Sequence, residues 1–284
     1  MGISITRLGS AAGAEVAGLD LARPLEAETA GKLARALAEH CVLLIRNADI
    51  TPEQHVAFSR HFGTLEGHLL ADFSLPGHPE IFVVSNVKEG GKLKGAIYAG
   101  QFWHSDLSYM AKPSLGSLLL CREMPAVGGD TMWTNMYMAY DTLSDTMKAF
   151  IGRLKAVHDY SHAYDTYFSK LPDRPPLTPE QRAKTPPVEH PMVRTHPVTG
   201  RKALYVNAGF TKGIAGMPEE ESRPILDFLF RHSTRPEFTY RHKWQVHDMM
   251  FWDNRCSMHY AVSDYDFTAR RHMHRTTIAG DAPY

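Results

Sequence analysis

The 284-residue chain balances 31 Lys and Arg against 31 Asp and Glu, with 43% hydrophobic and 10% aromatic residues. Such a composition supports a large core, and the absence of basic or acidic runs argues against a nucleic-acid footprint or a charged, disordered partner arm. No apolar run reaches membrane-spanning length, so a small-molecule partner is expected, with no nucleic acid and no membrane.

Length permits one large domain or two small ones. No linker, repeat or low-complexity stretch divides the chain, which reads as a single domain over residues 1–284. Cys41, Cys121 and Cys256 fit neither a disulfide framework nor a zinc motif and favour a reducing cytoplasm. Met1–Thr6 fits a loose myristoylation pattern, but alternating Ile3 and Ile5 read better as an opening strand. Glu28–His40 carries Leu33 and Leu37 at helical spacing, and the apolar run Cys41–Ile45 reads as a buried strand. Thr51-Pro52-Glu53-Gln54 predicts a capped helix start, with Thr51 as N-cap and Gln54 closing a capping box. That helix runs through Phe58 toward His61, with Gly63 as its C-cap. Ile81–Val84 is a strand. Residues 87–102, rich in Gly and Lys, read as a loop placed to act as a lid.

Strands are expected at Ser117–Arg122 and Asp130–Thr134, either side of a Gly128-Gly129 turn. A helix follows from Asp145 to Leu154, capped by Ser144. The proline-dense stretch 169–187 reads as a loop. Ala203–Val206 is a strand, and Arg223–His232 an amphipathic helix that Ser222 can cap. Trp244–Trp252 and His272–Ile278 are strands. Strands dominate and helices decorate them, which predicts a mainly β fold of barrel or jelly-roll type rather than a βαβ sheet.

The chemistry is carried by Phe102-Trp103-His104-Ser105-Asp106-Leu107. On an extended strand His104 and Asp106 leave the same face, which gives an imidazole and a carboxylate in need of a third ligand. His259 answers them in Trp252-Asp253-Asn254-Arg255-Cys256-Ser257-Met258-His259-Tyr260. Two His and one carboxylate on one face of a metal leave the opposite positions open, as in non-heme Fe(II) oxygenases.

These blocks, together with Gly128–Trp133, His190–Phe210 and Arg270–Arg275, resemble the taurine/2-oxoglutarate dioxygenase family (TauD/TfdA type) over nearly the whole chain. The resemblance implies a double-stranded β-helix (jelly-roll, cupin-like) core, with Fe(II), 2-oxoglutarate and O2 as cofactor and co-substrates. It implies hydroxylation of a small anionic organic acid of sulfonate, sulfate-ester or aryloxyalkanoate type, coupled to formation of succinate and CO2. Halogenating relatives lack the carboxylate, so Asp106 argues for hydroxylation. By the same resemblance His104, Asp106 and His259 are the iron ligands, and Arg271 with Thr131 holds the distal carboxylate of 2-oxoglutarate. Arginine suits that task because its planar fork bonds a carboxylate through two N–H groups. A shifted register would give the role to Arg270.

Arg275 and His68 match positions that contact the anionic head of the prime substrate in taurine-type relatives, and Tyr164 and Phe210 match aromatic wall positions. Ordinary packing is the competing explanation for His68, Tyr164 and Phe210. Ala71 replaces an expected tyrosine, and Tyr98-Ala99-Gly100-Gln101 lacks an expected Asn, so the substrate need not be taurine. Relatives are often dimers or tetramers, and a homo-oligomer is expected. Two other classes remain: a cupin-like zinc hydrolase or isomerase using the same His/Asp/His set, and a non-catalytic anion-binding relative. His190 and His196, each followed by proline, read as structural.

Overall fold

The computed structural model describes residues 2–67, 71–171 and 176–284. Its main sheet follows from strict alternation in strands covered on both faces. Val42–Ile45 is buried at every position. Val42 and Leu44 join one apolar cluster, while Leu43 and Ile45 join another on the opposite side. The split recurs in Gly116–Glu123, where Leu119 and Cys121 face the first cluster and Leu118 and Leu120 the second.

The sheet has nine strands. Its order is Ser4–Arg7, Ala14–Ala17, Val42–Ile45, Met249–Asp253, Gly116–Glu123, His272–Ile278, His78–Ser85 and Ser74–Leu75, with Leu65–Glu66 paired to His272–Ile278 off that path. One face is covered by the helices Ala27–His40 and Pro52–Arg60 through Leu33, Leu37 and Phe58. The other faces a second sheet ordered Thr239–His242, Thr131–Asn135, Ser257–Ala261. Trp133 and Met258 of this smaller sheet meet Trp252, Leu119 and Met273 across the gap. The Trp133 and Trp252 rings lie 5.8 Å apart. Truncating so large a buried ring costs about 3–5 kcal/mol. Two facing sheets with sequence-distant neighbours make the core a jelly roll.

Local details refine the sequence reading. Cys41 has φ 65° and caps the preceding helix, so the strand starts at Val42. The Thr51/Gln54 capping box forms, and the helix ends at Arg60 with His61, not Gly63, as its C-cap. Ser144 caps Asp145–Ile151 as expected. The late helix spans Glu219–Ser233, one turn earlier than expected; Ser222 lies inside it and donates to the Glu219 carbonyl instead of capping. Within 169–187 a short helix, Pro179–Lys184, starts on Thr178-Pro179-Glu180-Gln181 with a complete capping box. Strand Met249–Asp253 is shorter than the expected 244–252, because Asp248 turns the chain by accepting the Gln245 N–H at 2.8 Å. No helix among the described residues is long and apolar enough to cross a membrane.

Candidate metal centre

The two imidazoles are fixed by backbone. His104 and His259 form an isolated antiparallel bridge, with His104 N–H donating to the His259 carbonyl at 3.1 Å and the reverse bond at 2.8 Å. Their rings lie 4.1 Å apart between centroids. Asp106 joins them from a turn and not from the extended strand that the His-x-Asp spacing implied; Leu107, next in the chain, has φ 55°. Its Oδ1 sits 3.6 Å from His104 Nε2 and 3.9 Å from His259 Nε2. One ion with donor distances of about 2 Å bridges such separations.

The donor set has the right charge, and His104 the right tautomer. The His104 ring places Nδ1 2.8 Å from the Phe102 carbonyl, so Nδ1–H donates there and Nε2 keeps its lone pair toward the site. Burial, reinforced by the neighbouring His104, pushes His259 well below the ordinary histidine range and keeps it neutral. Burial pushes the Asp106 carboxyl up, but the Arg275 guanidinium and the two imidazoles outweigh it and hold it well below the usual range. Asp106 also accepts from Ser117 Oγ at 3.0 Å and from Arg275 Nη1 at 3.3 Å. One anion and a buried neutral imidazole, with the second imidazole beside them, fit a divalent ion of the Fe(II) kind.

A second buried group, His196, Asp253 and Cys256, has similar spacing but its donors are already used. Asp253 takes a two-point clamp from Arg255 at 2.9 and 2.6 Å, plus His196 Nε2 at 3.1 Å. His196 Nδ1 accepts two backbone N–H groups. Burial pushes the Cys256 thiol up, which keeps it protonated. This cluster ties strands together.

Arg270 and Arg271 separate cleanly. Arg270 is exposed and clamps Glu123, with Nη2 donating to Oε1 at 2.8 Å. Arg271 is buried, and its one side-chain bond among the described residues runs from Nε to the Gly129 carbonyl at 3.2 Å. No carboxylate among the described residues pairs with it. Gly129, at φ +74°, lets the turn approach this closely: a Cβ there would lie 3.3 Å from Arg271 Nε and 2.9 Å from Met124 Cε. Thr131 lies two residues on, buried, with its hydroxyl accepting the Trp244 indole N–H at 3.0 Å. Along the last strand Met273 is in the core, while His272 and His274 turn to the other face and contact each other at 3.2 Å.

Phe210 stands 6.0 Å from the His104 ring. Tyr164 is buried in the helix Tyr160–Thr166 and is two rings removed: it meets Phe168, which meets Phe102, which lies 5.1 Å from His104. His68 lies outside the described residues.

The matching family description is "Taurine catabolism dioxygenase TauD, TfdA family", over residues 4–277. The chain belongs to this TauD/TfdA family. It is 35% identical to the alpha-ketoglutarate-dependent 2,4-dichlorophenoxyacetate dioxygenase of Cupriavidus pinatubonensis over 95% of each chain. It is 36% identical to the alpha-ketoglutarate-dependent sulfate ester dioxygenase of Pseudomonas putida, covering 95% of this chain and 87% of that one. The solved structure of AAD-2 in complex with Mn(II) and N-oxalylglycine superposes with a TM-score of 0.84 at 36% identity, covering 100% of this chain and 99% of that one.

Sequence reasoning missed part of this TauD/TfdA chain's site wall. Phe102, Tyr109, Tyr167 and Phe168 cluster with Phe210 beside His104. Tyr160, Tyr164, Tyr167 and Phe168 recur at helical spacing, a stripe that the sequence does carry. It also missed Gly100, whose Cβ would sit 3.0 Å from His104 Cε1 at φ +75°. Gly77 has a similar φ of +81° but open space around it. Alanine at either position should cost about 1 kcal/mol of backbone strain. Only Gly100→Ala should also shrink the rise in melting temperature that Mn(II) produces; an equal rise in both variants would contradict contact control of the ligand ring.

Proposed function

We propose that this Fe(II)- and 2-oxoglutarate-dependent dioxygenase hydroxylates a small organic acid with a carboxylate, sulfonate or sulfate-ester head, forming succinate and CO2 from 2-oxoglutarate. The observation that carries the reading is the juxtaposition of a buried His104/Asp106/His259 donor set with a buried arginine, Arg271, that has no carboxylate partner among the described residues. Relatives whose names specify 2,4-dichlorophenoxyacetate and sulfate esters support the substrate class.

In this reading His104, Asp106 and His259 hold Fe(II), which when bound with 2-oxoglutarate and O2 supplies the oxidation that inserts one oxygen atom into a C–H bond. Arg271 and Thr131 receive the distal carboxylate of 2-oxoglutarate. A desolvated cation is costly until paired, so the co-substrate anion completes the site. Arg275 is the grip for the substrate head. Its guanidinium lies on Asp106 at 3.3 Å and over the Phe82 ring at 5.1 Å, with Nε buried and without a partner among the described residues. It can therefore turn a donor to an incoming anion while its stem stays packed. Phe210, with Phe102 and Tyr109, walls off water beside His104; Tyr164 packs behind that wall against Phe168, and His68 is assigned to the substrate head by the family resemblance alone. A zinc hydrolase or a simple anion binder gives Arg271 and the open donor set no joint use.

The same reading takes residues 1–284 as one domain, working in the cytoplasm as a homodimer or homotetramer without nucleic-acid or membrane partners. The few, unpaired thiols support the compartment, and light scattering checks the assembly. The direct test is a panel of aryloxyalkanoates, sulfate esters and sulfonates scored by substrate-dependent succinate. At least one class should raise succinate well above background; no response from any member would sink the substrate assignment. Arg275→Ala should raise the KM for the responding substrate about tenfold or more, with the KM for 2-oxoglutarate little changed.

A further inference from the structure

The His104–His259 bridge fixes two imidazoles, but Asp106 sits two residues past it in a turn, outside any ladder, beside a non-glycine residue at φ 55°. A strained turn keeps one geometry only when its surroundings over-determine it. We propose that Asn254 is the positioning residue of this centre, clamping the turn that carries Asp106 onto the connection that leads into the strand of His259. The proposal rests on the reading of His104, Asp106 and His259 as the metal-holding set.

Asn254 is buried, and each of its polar groups is engaged. Oδ1 accepts the Asp106 backbone N–H at 3.3 Å and the Trp252 indole N–H at 3.0 Å. Nδ2 donates to Ser114 Oγ at 2.9 Å, and Ser114 donates in turn to the Asp106 carbonyl at 3.3 Å. The Asn254 carbonyl accepts from Ser105 Oγ at 2.8 Å, and its N–H donates to the Leu115 carbonyl at 2.8 Å. The side-chain amide thus holds the peptide groups on both sides of Asp106, and the main chain holds the residue between the two early ligands. The indole it orients packs 4.8 Å from the His259 ring. Asn254 touches no reacting atom; it sets how far the carboxylate stands from both imidazoles. Leucine or alanine side chains can neither accept nor donate, and aspartate could not donate to Ser114 and would bury a second anion beside Asp106.

The test is calorimetric titration of the full-length protein with Mn(II), alongside melting temperatures of the metal-free proteins. Supporting groups around metal ligands typically control affinity 10–100-fold, and Asn254→Ala is expected to lose at least tenfold. Ser59→Ala removes an equally buried hydroxyl, bonded to the His55 carbonyl and to Thr276 on the far side of the main sheet. It should lower the melting temperature without changing Mn(II) affinity, which separates positioning from general destabilisation. Should Asn254→Ala not fold, Ser114→Ala cuts the relay alone and should lose about threefold or more. Affinity within twofold of the parent in a folded Asn254→Ala, or in Ser114→Ala if that is the folded variant, overturns the proposal while leaving the metal reading intact. A parent protein that binds no Mn(II), or a His104→Ala variant that binds it normally, overturns both.

Discussion

His259→Ala should reduce substrate-dependent succinate formation to background, a loss of about a thousandfold or more, equivalent to roughly 4 kcal/mol or more of transition-state stabilisation. The reason is the loss of one of three donors whose nearest atoms all lie within 4.8 Å of one another. The fold should survive. The backbone bridge to His104 uses main-chain atoms, and the lost ring includes a buried Nδ1 with no partner among the described residues. Removing an unsatisfied buried atom offsets part of the packing lost against Trp252. Succinate assays paired with thermal melts check both halves. Activity within tenfold of the parent would remove His259 from the ligand set.

Arg271→Ala should raise the KM for 2-oxoglutarate by about a hundredfold, near 3 kcal/mol, since truncating one partner of a buried charge pair costs 2–5 kcal/mol. Stability should hold or rise, because the guanidinium is buried without a carboxylate partner among the described residues and burial already pushes its pKa down. Arg270→Ala is the matched control. It breaks an exposed pair with Glu123 worth at most about 1 kcal/mol and should leave that KM within twofold. Co-substrate kinetics of the two variants decide the register. Equal effects, or a larger one at Arg270, would reverse the assignment.

The sequence made local grammar legible where a residue's role depends on near neighbours. Thr51-Pro52-Glu53-Gln54 announced its helix correctly; Thr178-Pro179-Glu180-Gln181 carries the same four-residue signal and forms the same box, but the surrounding prolines masked it. The apolar run at 42–45 identified a buried strand, while the sheet order around it depends on pairings between distant parts of the chain, such as Met249 with Ile45. The His104-x-Asp106 spacing pointed to convergent ligands for a reason the fold does not use: a turn, held through Asn254 and Ser117, brings the carboxylate in. Within the last strand alternation holds: Met273 packs into the core while His272 and His274 turn to the other face. What no local pattern carried was that, among the described residues, a carboxylate pairs with Arg270 and none with Arg271, because Glu123 belongs to a neighbouring strand. Tyr164 illustrates the converse: a matching position in the chain that packs one layer behind the wall it was expected to form.

The most direct measurement is anomalous diffraction from crystals of this protein grown with Mn(II) and N-oxalylglycine. The account predicts one strong peak about 2 Å from His104 Nε2, Asp106 Oδ1 and His259 Nε2, with a carboxylate of the analogue on Arg271. A map with no peak there, or with its peak at His196, Asp253 and Cys256, would contradict it.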